Sequence, residues 1–417
     1  MDYKIAFVSF ILLVFNLHFA IAQTIHNPNY TIENNVSFLS NDALQGRLVG
    51  SAAEKESAEF IKHVFQSYSL DTLCTNGFFH DFEFEYHSNP HDTSAANRIN
   101  IKSRNVVGYL NNHASSTILI GAHYDHIGRN EHHQSMLPNL KNEIHNGADD
   151  NASGVAGVLE IARLLSTDSI TENANYIFAC FSAEEVGLVG SKKLVEFLQS
   201  DLSISIDAMI NMDMIGRMDS VNTLNIGGLG TSSVFPKMID DNKPEHFNLV
   251  IDSSGIGPSD HSSFYLKNIP VLFFHTGSHS DYHKPTDDFE KINFPALKEI
   301  SDFIYRISIA LSAEEEIDFL KTKNPSEKRS TSYKVTLGIM PNYSHQTIDG
   351  LMIDDVIEGK LAHKIGMKSG DIIIKINTCE VNDIYSYMAC LSNFDYGNEA
   401  IIWFLRGDKI MNGNVLF

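Results

Sequence analysis

The 417-residue chain predicts an α/β fold, a mixed and largely parallel sheet sandwiched by helices, followed by a small β-rich module. Three observations predict it. Apolar runs of strand type alternate with stretches at helical spacing up to about residue 311. The polar residues with chemical potential fall just past the ends of those runs, on the edge where open α/β sheets place ligands. From residue 333 the character changes to short strands and turn signals such as Gly370-Asp371 and Arg406-Gly407-Asp408.

Taken in order, residues 1–22 read as a secretory signal. Lys4 supplies the positive end, an apolar core follows, and Ala20-Ile21-Ala22 is a small-x-small cleavage site. Residues 30–50 are polar and turn-rich and contain Leu44-Gln45-Gly46-Arg47. Residues 52–70 carry Ala58, Ile61, Val64 and Phe65 at helical spacing, which predicts an amphipathic helix. Residues 71–104 read as strands and loops. The run at 117–121 predicts a buried strand that ends at Ala122-His123-Tyr124-Asp125-His126. Residues 129–145 read as a surface loop, with His132 and His133 a solvated pair in it. A helix is expected over 152–165, a strand over 175–181 leading to Ser182-Ala183-Glu184-Glu185-Val186-Gly187, and a helix over 191–198. Strands at 206–212, ending at Asp213, and at 270–274 follow, with a polar loop to His283 and an amphipathic helix over 293–311. This gives a catalytic domain at 23–311, a polar linker at 312–332 and a small domain at 333–417 with one short helix near 360–365.

The balance of 31 basic against 52 acidic residues, a net charge of −21, argues against nucleic acid or an anionic membrane as partner. The signal segment is short for a membrane span and no other span is visible, so the product is expected to be exported, periplasmic or secreted. Export permits disulfides. The four cysteines allow three pairings, among which Cys379 with Cys390 is possible, while Cys180 in its apolar run reads as a buried small hydrophobe.

Asn146-Gly147-Ala148-Asp149-Asp150-Asn151-Ala152-Ser153-Gly154 organises the chain. Two adjacent acids between glycines repel one another and cost backbone freedom, which a multiply charged cation at a helix entrance would justify. Taken alone, an N-cap explains the same residues. His123, Asp125, Asp150, Glu184, Glu185, Asp213 and His283 each close or follow an apolar run or open a helix, so all can converge on one sheet edge. Carboxylate and imidazole suit zinc, and a pair of metals needs a shared carboxylate. Two divalent ions set against Asp150, Glu185, Asp213 and one hydroxide leave a nearly neutral site, as a partly buried cleft requires.

His123-x-Asp125, the Gly147 to Gly154 motif, Ala183-Glu184-Glu185-Val186-Gly187, Asn211-Met212-Asp213 and Tyr282-His283 resemble, in order, the zinc aminopeptidases of the bacterial leucyl type. Glutamate carboxypeptidase and glutaminyl cyclases are relatives of that family. The resemblance covers residues 36–311 and implies a zinc exopeptidase fold and two Zn²⁺ ions. It implies that His123 and Asp213 hold one ion, Glu185 and His283 the other, and that Asp150 is shared. It further implies that Asp125 orients His123, that Glu184 is the general base, and that the peptide bond after Asp150 is cis. Peptides would be the substrates, losing their N-terminal residues. A carboxypeptidase, a glutaminyl cyclase or an inactive metal-binding peptide adaptor stays open on the same scaffold. Ser259-Asp260-His261 tempts a nucleophilic triad, but adjacent residues rarely adopt triad geometry, so a pocket-lining role is expected.

The final 85 residues resemble a PDZ domain of the bacterial protease type. Thr336-Leu337-Gly338-Ile339 sits where the carboxylate-binding loop belongs, and the Gly366 to Asn377 stretch matches the strand that follows. The resemblance implies a groove that can take a peptide C-terminus as an added strand, against the alternative of a packing module without ligand.

Overall fold

The computed structural model describes residues 30–87, 98–132, 134–137, 142–168, 170–322, 335–341, 350–357, 359–382, 384–407 and 409–417. The segment read as a secretory signal and His133 lie outside the described residues, as do residues 323–332 of the linker.

The first sheet contains β1 (Phe79–His87), β2 (Arg98–Leu110), β3 (Ser116–His123), β4 (Ala174–Phe181), β5 (Ala208–Met212), β6 (Thr223–Gly227), β7 (Asn248–Ile251) and β8 (Val271–His275). Its spatial order is β1-β2-β4-β3-β5-β8-β6-β7. The central pairs β4/β3, β3/β5 and β5/β8 are parallel, as is β6/β7, whereas β1/β2, β2/β4 and β6/β8 are antiparallel. The predicted mixed, largely parallel sheet is therefore present.

Side chains on the central strands alternate between two cores, as a period of two requires. On β4, Tyr176, Phe178 and Cys180 enter one core, which the helices Ile32–Leu39, Ala52–Ser67, Gly154–Thr167 and Phe294–Ser312 cover. Ile177, Ala179 and Phe181 enter the other, beneath Val189–Glu196 and His261–Tyr265. The helix Phe294–Ser312 starts where Asn293 accepts the Ala296 N–H, and it buries Leu297, Ile300, Phe303, Ile304, Ile307 and Leu311. At about 1.5–3 kcal/mol for each such side chain, this stripe outweighs the cap, worth about 1 kcal/mol, in holding the helix in place.

Several expectations need correction. Residues 30–50 are not simply turns. They hold the helix Ile32–Leu39, capped by Thr31, whose Val36 and Leu39 are fully buried. The helix expected at 191–198 starts two residues earlier, because Leu188 takes a left-handed conformation as its cap. Strands β6 and β7 and the helix Phe235–Asn242 went unread. Their short segments carry too few apolar residues to give a period.

The second sheet consists of β9 (Ile339–Pro341), β10 (Leu351–Val356), β11 (Ile372–Ile376), β12 (Cys379–Glu380), β13 (Glu399–Arg406) and β14 (Lys409–Leu416). It is antiparallel throughout, in the order β14-β13-β11-β10-β9 with β12 on β11. Its core of Val335, Leu337, Ile353, Ile373, Ile402, Phe404 and neighbours shares no residue with the first two. Besides the helix Leu361–Lys364 it carries Ile384–Leu391, which the sequence reading left out. Cys379 and Cys390 form a disulfide with Cα atoms 5.8 Å apart, and Cys180 is fully buried. Residues 313–322 do not leave the first unit: Ile317 and Phe319 pack on its cores and the Leu320 N–H donates to the Thr231 carbonyl at 2.8 Å. Among the described residues no helix is long and apolar enough to cross a membrane.

Candidate functional site

Parallel neighbours end on the same edge of a sheet, and this chain uses that edge. His123 closes β3, Glu184 and Glu185 follow β4, Asp213 follows β5, and His283 lies in the loop after β8. Asp150 arrives from the loop before the helix Gly154–Thr167. All six line one cavity of about 630 Å³.

The Asp150 loop is held by residues distant in the chain. Asp287 accepts the N–H groups of Asp149 and Asp150, each at 3.0 Å. Asp149 does not face the cluster. Its Oδ1 accepts the Gly216 N–H at 2.6 Å and its Oδ2 lies 3.1 Å from His279 Nε2. Asn151 donates to the Met212 carbonyl and accepts the Gly154 and Met214 N–H groups, tying the loop to the end of β5 beside Asp213. The cap of the helix is thus the Asn151 amide, and Asp150 is left free to face the cavity. The Asp150–Asn151 peptide is cis. Gly147 is needed twice over: its φ is +56°, and a Cβ there would stand 2.1 Å from the Asp150 carbonyl oxygen and 2.6 Å from the His126 ring.

Arg47, from the stretch read only as a turn, is fully buried beneath the site. Its guanidinium donates to the carbonyls of Tyr124 at 2.8 Å, Asn146 at 2.6 Å, Gly147 at 3.1 Å, and Leu39. One side chain thereby joins the loop after β3 to the loop that carries Asp150. Burial lowers it to about 10 against the pull of Asp150 and Asp125, so it stays charged at neutral pH.

The polar atoms converge in two groups that share Asp150. His123 Nε2 stands 3.4 Å from Asp150 Oδ1 and 3.3 Å from Asp213 Oδ1. His283 Nε2 stands 3.2 Å from both Asp150 Oδ2 and Glu185 Oε2. His126, absent from the candidates read in sequence, joins the second group: its Nδ1 is 2.8 Å from Glu185 Oε1 and 3.8 Å from Asp150 Oδ2. Its position three residues after His123, at the end of the same strand, was the available signal. His283 Nδ1 lies 3.0 Å from the Gln134 carbonyl, and His123 Nδ1 lies 3.1 Å from the Asp125 carbonyl.

The expected role of Asp125 is therefore altered. It is the backbone carbonyl of Asp125 that meets His123, while its carboxylate, 3.9 Å from the ring, accepts the Glu184 N–H at 3.1 Å. Asp125 positions both His123 and Glu184. The Ser259-Asp260-His261 segment forms no triad. Ser259 Oγ accepts from Asn211 Nδ2 at 2.8 Å, and His261 stacks on Phe273 with ring centroids 4.4 Å apart. His261 lines the cavity.

Charge follows this geometry. Burial works to raise Asp150, but His126, His123 and His283 outweigh it and hold the carboxyl well below its ordinary range. Glu185 is likewise brought down, to about 2, by His283 and His126 against burial. Glu184 behaves oppositely. Burial, with Glu185 and Asp260 nearby, pushes it well above the usual carboxylate range despite the pull of His123. Two adjacent acids in one cavity thus have opposite proton affinities, which suits one to hold charge and the other to carry a proton.

Cations fit the donor set here. Carbonyls at Nδ1 of His123 and His283 accept that ring hydrogen and leave Nε2 turned toward the carboxylates. Burial works to lower both imidazoles, but the carboxylates around them raise both well above their ordinary range, so without a cation each Nε2 keeps a proton among oxygens 3.2–3.4 Å away. A cation within each group would take the place of that proton. The atoms that could bind a cation in His123, Asp150 and Asp213, and those in His126, Asp150, Glu185 and His283, lie within 4.8 Å of one another in each group. Imidazole with carboxylate is a donor set that suits zinc.

Comparison with known proteins agrees with this chemistry. The model of Peptidase family M28 matches residues 105–308, which include His123, Asp150, Glu184, Glu185, Asp213 and His283. Leucine aminopeptidase 1 of Uncinocarpus reesii is 29% identical over 207 residues, covering 45% of this chain and 50% of that protein. The chain thus spans about half the length of the curated relative it matches. Among solved structures, the zinc aminopeptidase BSAP of Bacillus subtilis superposes with a TM-score of 0.52 at 19% identity, covering 72% of this chain and 100% of that one. The glutaminyl cyclase of Porphyromonas gingivalis gives 0.51 at 18%, covering 67% and 97%. The fold is that of the zinc exopeptidases.

Proposed function

We propose that this chain is an exported zinc-dependent metallopeptidase that removes N-terminal residues from peptides, using two zinc ions. The observation that carries the proposal is Asp150, whose two oxygens face two different imidazoles, Oδ1 toward His123 and Oδ2 toward His283. In this reading His123 and Asp213 would hold one ion, Glu185 and His283 the other, and Asp150 would serve both. His126 steadies Glu185 from outside that shell. Bound zinc would polarise the scissile carbonyl and acidify water.

The chain's own residues supply the rest. Glu184, raised well above its ordinary range and set in the cavity, takes a proton from the attacking water and delivers it to the leaving amine. Asp125 fixes Glu184 through its N–H and His123 through its ring nitrogen, so base and ligand keep one geometry. The catalytic unit ends near residue 322. The antiparallel module beyond it is a PDZ-like domain whose Thr336 to Ile339 loop can receive a peptide C-terminus. Residues 1–22 direct export to the periplasm or medium.

The likeness to a glutaminyl cyclase gives a second reading, cyclisation of N-terminal glutamine with release of ammonia. One assay separates the two. Aminoacyl fluorogenic substrates, their N-acetylated counterparts and a glutaminyl peptide are offered with and without a chelator. Release of fluorophore from unblocked substrates alone, abolished by the chelator and restored by zinc, is the expected result. Conversion of the glutaminyl peptide with no turnover of the aminoacyl substrates would replace the aminopeptidase by the cyclase.

A further inference from the structure

The cavity that holds the ligand cluster is not bounded by the first unit alone. Gly350, Leu351 and Asn382, all from the second sheet and its turns, complete its lining together with Thr322. The Gly350 N–H donates to the Asn382 carbonyl at 3.3 Å, which makes these residues one continuous piece of backbone surface. Leu351 opens β10 and pairs with Ile373 of β11, so the surface is built on a sheet rather than a free loop.

The chain leading there supports the same arrangement. Residues 313–322 are fastened to the cleft side of the first unit. Tyr265 packs on Phe319 with ring centroids 5.5 Å apart, the Thr322 N–H donates to Tyr265 Oη at 2.9 Å, and Thr322 Oγ1 accepts the Gly255 N–H at 3.2 Å. Thr322 is itself at the rim. Residues 323–334 separate it from Val335 of the second core, so the covalent reach is at most about 45 Å. A tether that short holds the module at millimolar effective concentration beside the cleft.

We infer that the C-terminal β module is the outer wall of the catalytic cleft and that it selects substrate by length, admitting short peptides with a free N-terminus. The inference rests on the aminopeptidase reading for the direction of the substrate. A residue bound at the carboxylate and imidazole cluster leaves the remainder of the peptide pointing at Asn382 and Leu351. The first few residues meet this wall, and a longer or folded chain must displace it.

Two measurements on the full-length protein test the wall. Asn382 is exposed and its N–H bond to Ser386 involves only backbone on its side, so Asn382→Trp adds bulk without breaking a contact. The ratio of kcat/KM for a hexapeptide over that for an aminoacyl anilide should fall about tenfold in Asn382→Trp. Asn412→Trp, at an exposed position outside the cavity, should leave the ratio unchanged. An unchanged ratio in both variants, or an equal fall in both, overturns the inference. The second measurement needs no turnover. Cys74 and Cys180 are buried and the other two cysteines are paired, so Asn382→Cys offers one exposed thiol for a solvatochromic dye. In a Glu184→Ala background with zinc, a hexapeptide should shift the dye's emission and a dipeptide should not. A hexapeptide that binds by calorimetry with the dye silent, or that fails to bind, overturns the wall. A native protein that cleaves no aminoacyl substrate while the dye responds instead defeats the aminopeptidase reading and leaves the wall standing.

Discussion

Asp150 and Glu184 show how little of the chemistry depends on residue type and how much on surroundings. Both are carboxylates in one cavity, yet the imidazoles hold the first ionised and burial favours a proton on the second. Glu184→Ala should therefore keep the metal content of the native protein while kcat falls by about 10²–10⁴-fold. Metal analysis and kinetics on the same preparation check this, and unaltered turnover contradicts the role of the base. Arg47 makes a different kind of claim, since it touches no substrate. Its removal in Arg47→Met strands buried carbonyls on the loop after β3 and on the loop that carries Asp150, at a cost on the order of 3 kcal/mol or more. Thermal unfolding should record that loss, together with weaker zinc retention in a chelator competition. Arg47 carries no signal of this role in the sequence. A lone Arg in a polar turn reads as solvated, and only the folded chain brings its guanidinium against residues a hundred positions away.

At the scale of elements, what could be read was what repeats. The largely apolar runs of β3 and β4 and the long amphipathic helix at the end of the first unit are long enough to declare themselves, and the polar residues that follow the two strands fall on a shared edge. Strands β6 and β7 do not declare themselves, and neither does the hydrogen bonding that sets Asp125 behind Glu184. Strand β1 carries a titrating group whose effect can be measured. His80 accepts the Asn105 side-chain N–H at Nδ1 and stacks on Phe197, and burial depresses it to about 4. Between pH 6.5 and 4 the unfolded chain takes up this proton and the folded chain does not, so stability falls as pH drops through that window. His80→Gln keeps an acceptor and removes the titration. The stability gap between native and variant should narrow or invert on acidification by on the order of 2 kcal/mol, allowing for partial exposure. Equal slopes against pH in denaturant unfolding would mean that His80 is not held neutral.

For the whole molecule, the α/β class and the change of character near residue 333 were visible, and two separate sets of cores accompany that change. The relation between the two parts was not visible. Sequence patterns report what each segment buries, whereas the Gly350 and Asn382 backbone at the cleft depends on packing that no period encodes. The net charge of −21 suits the proposed role, because a site that binds divalent cations gains from a negative field around it. The central claim is that one carboxylate serves two cations. Zinc titration of the stripped protein by calorimetry, with elemental analysis of the product, tests it most directly. The account predicts two ions per chain in the native protein, one in His123→Ala, and in Asp150→Ala the loss of both along with the metal-dependent rise in melting temperature. One ion in the native protein, or an Asp150→Ala variant that still binds two, would contradict it.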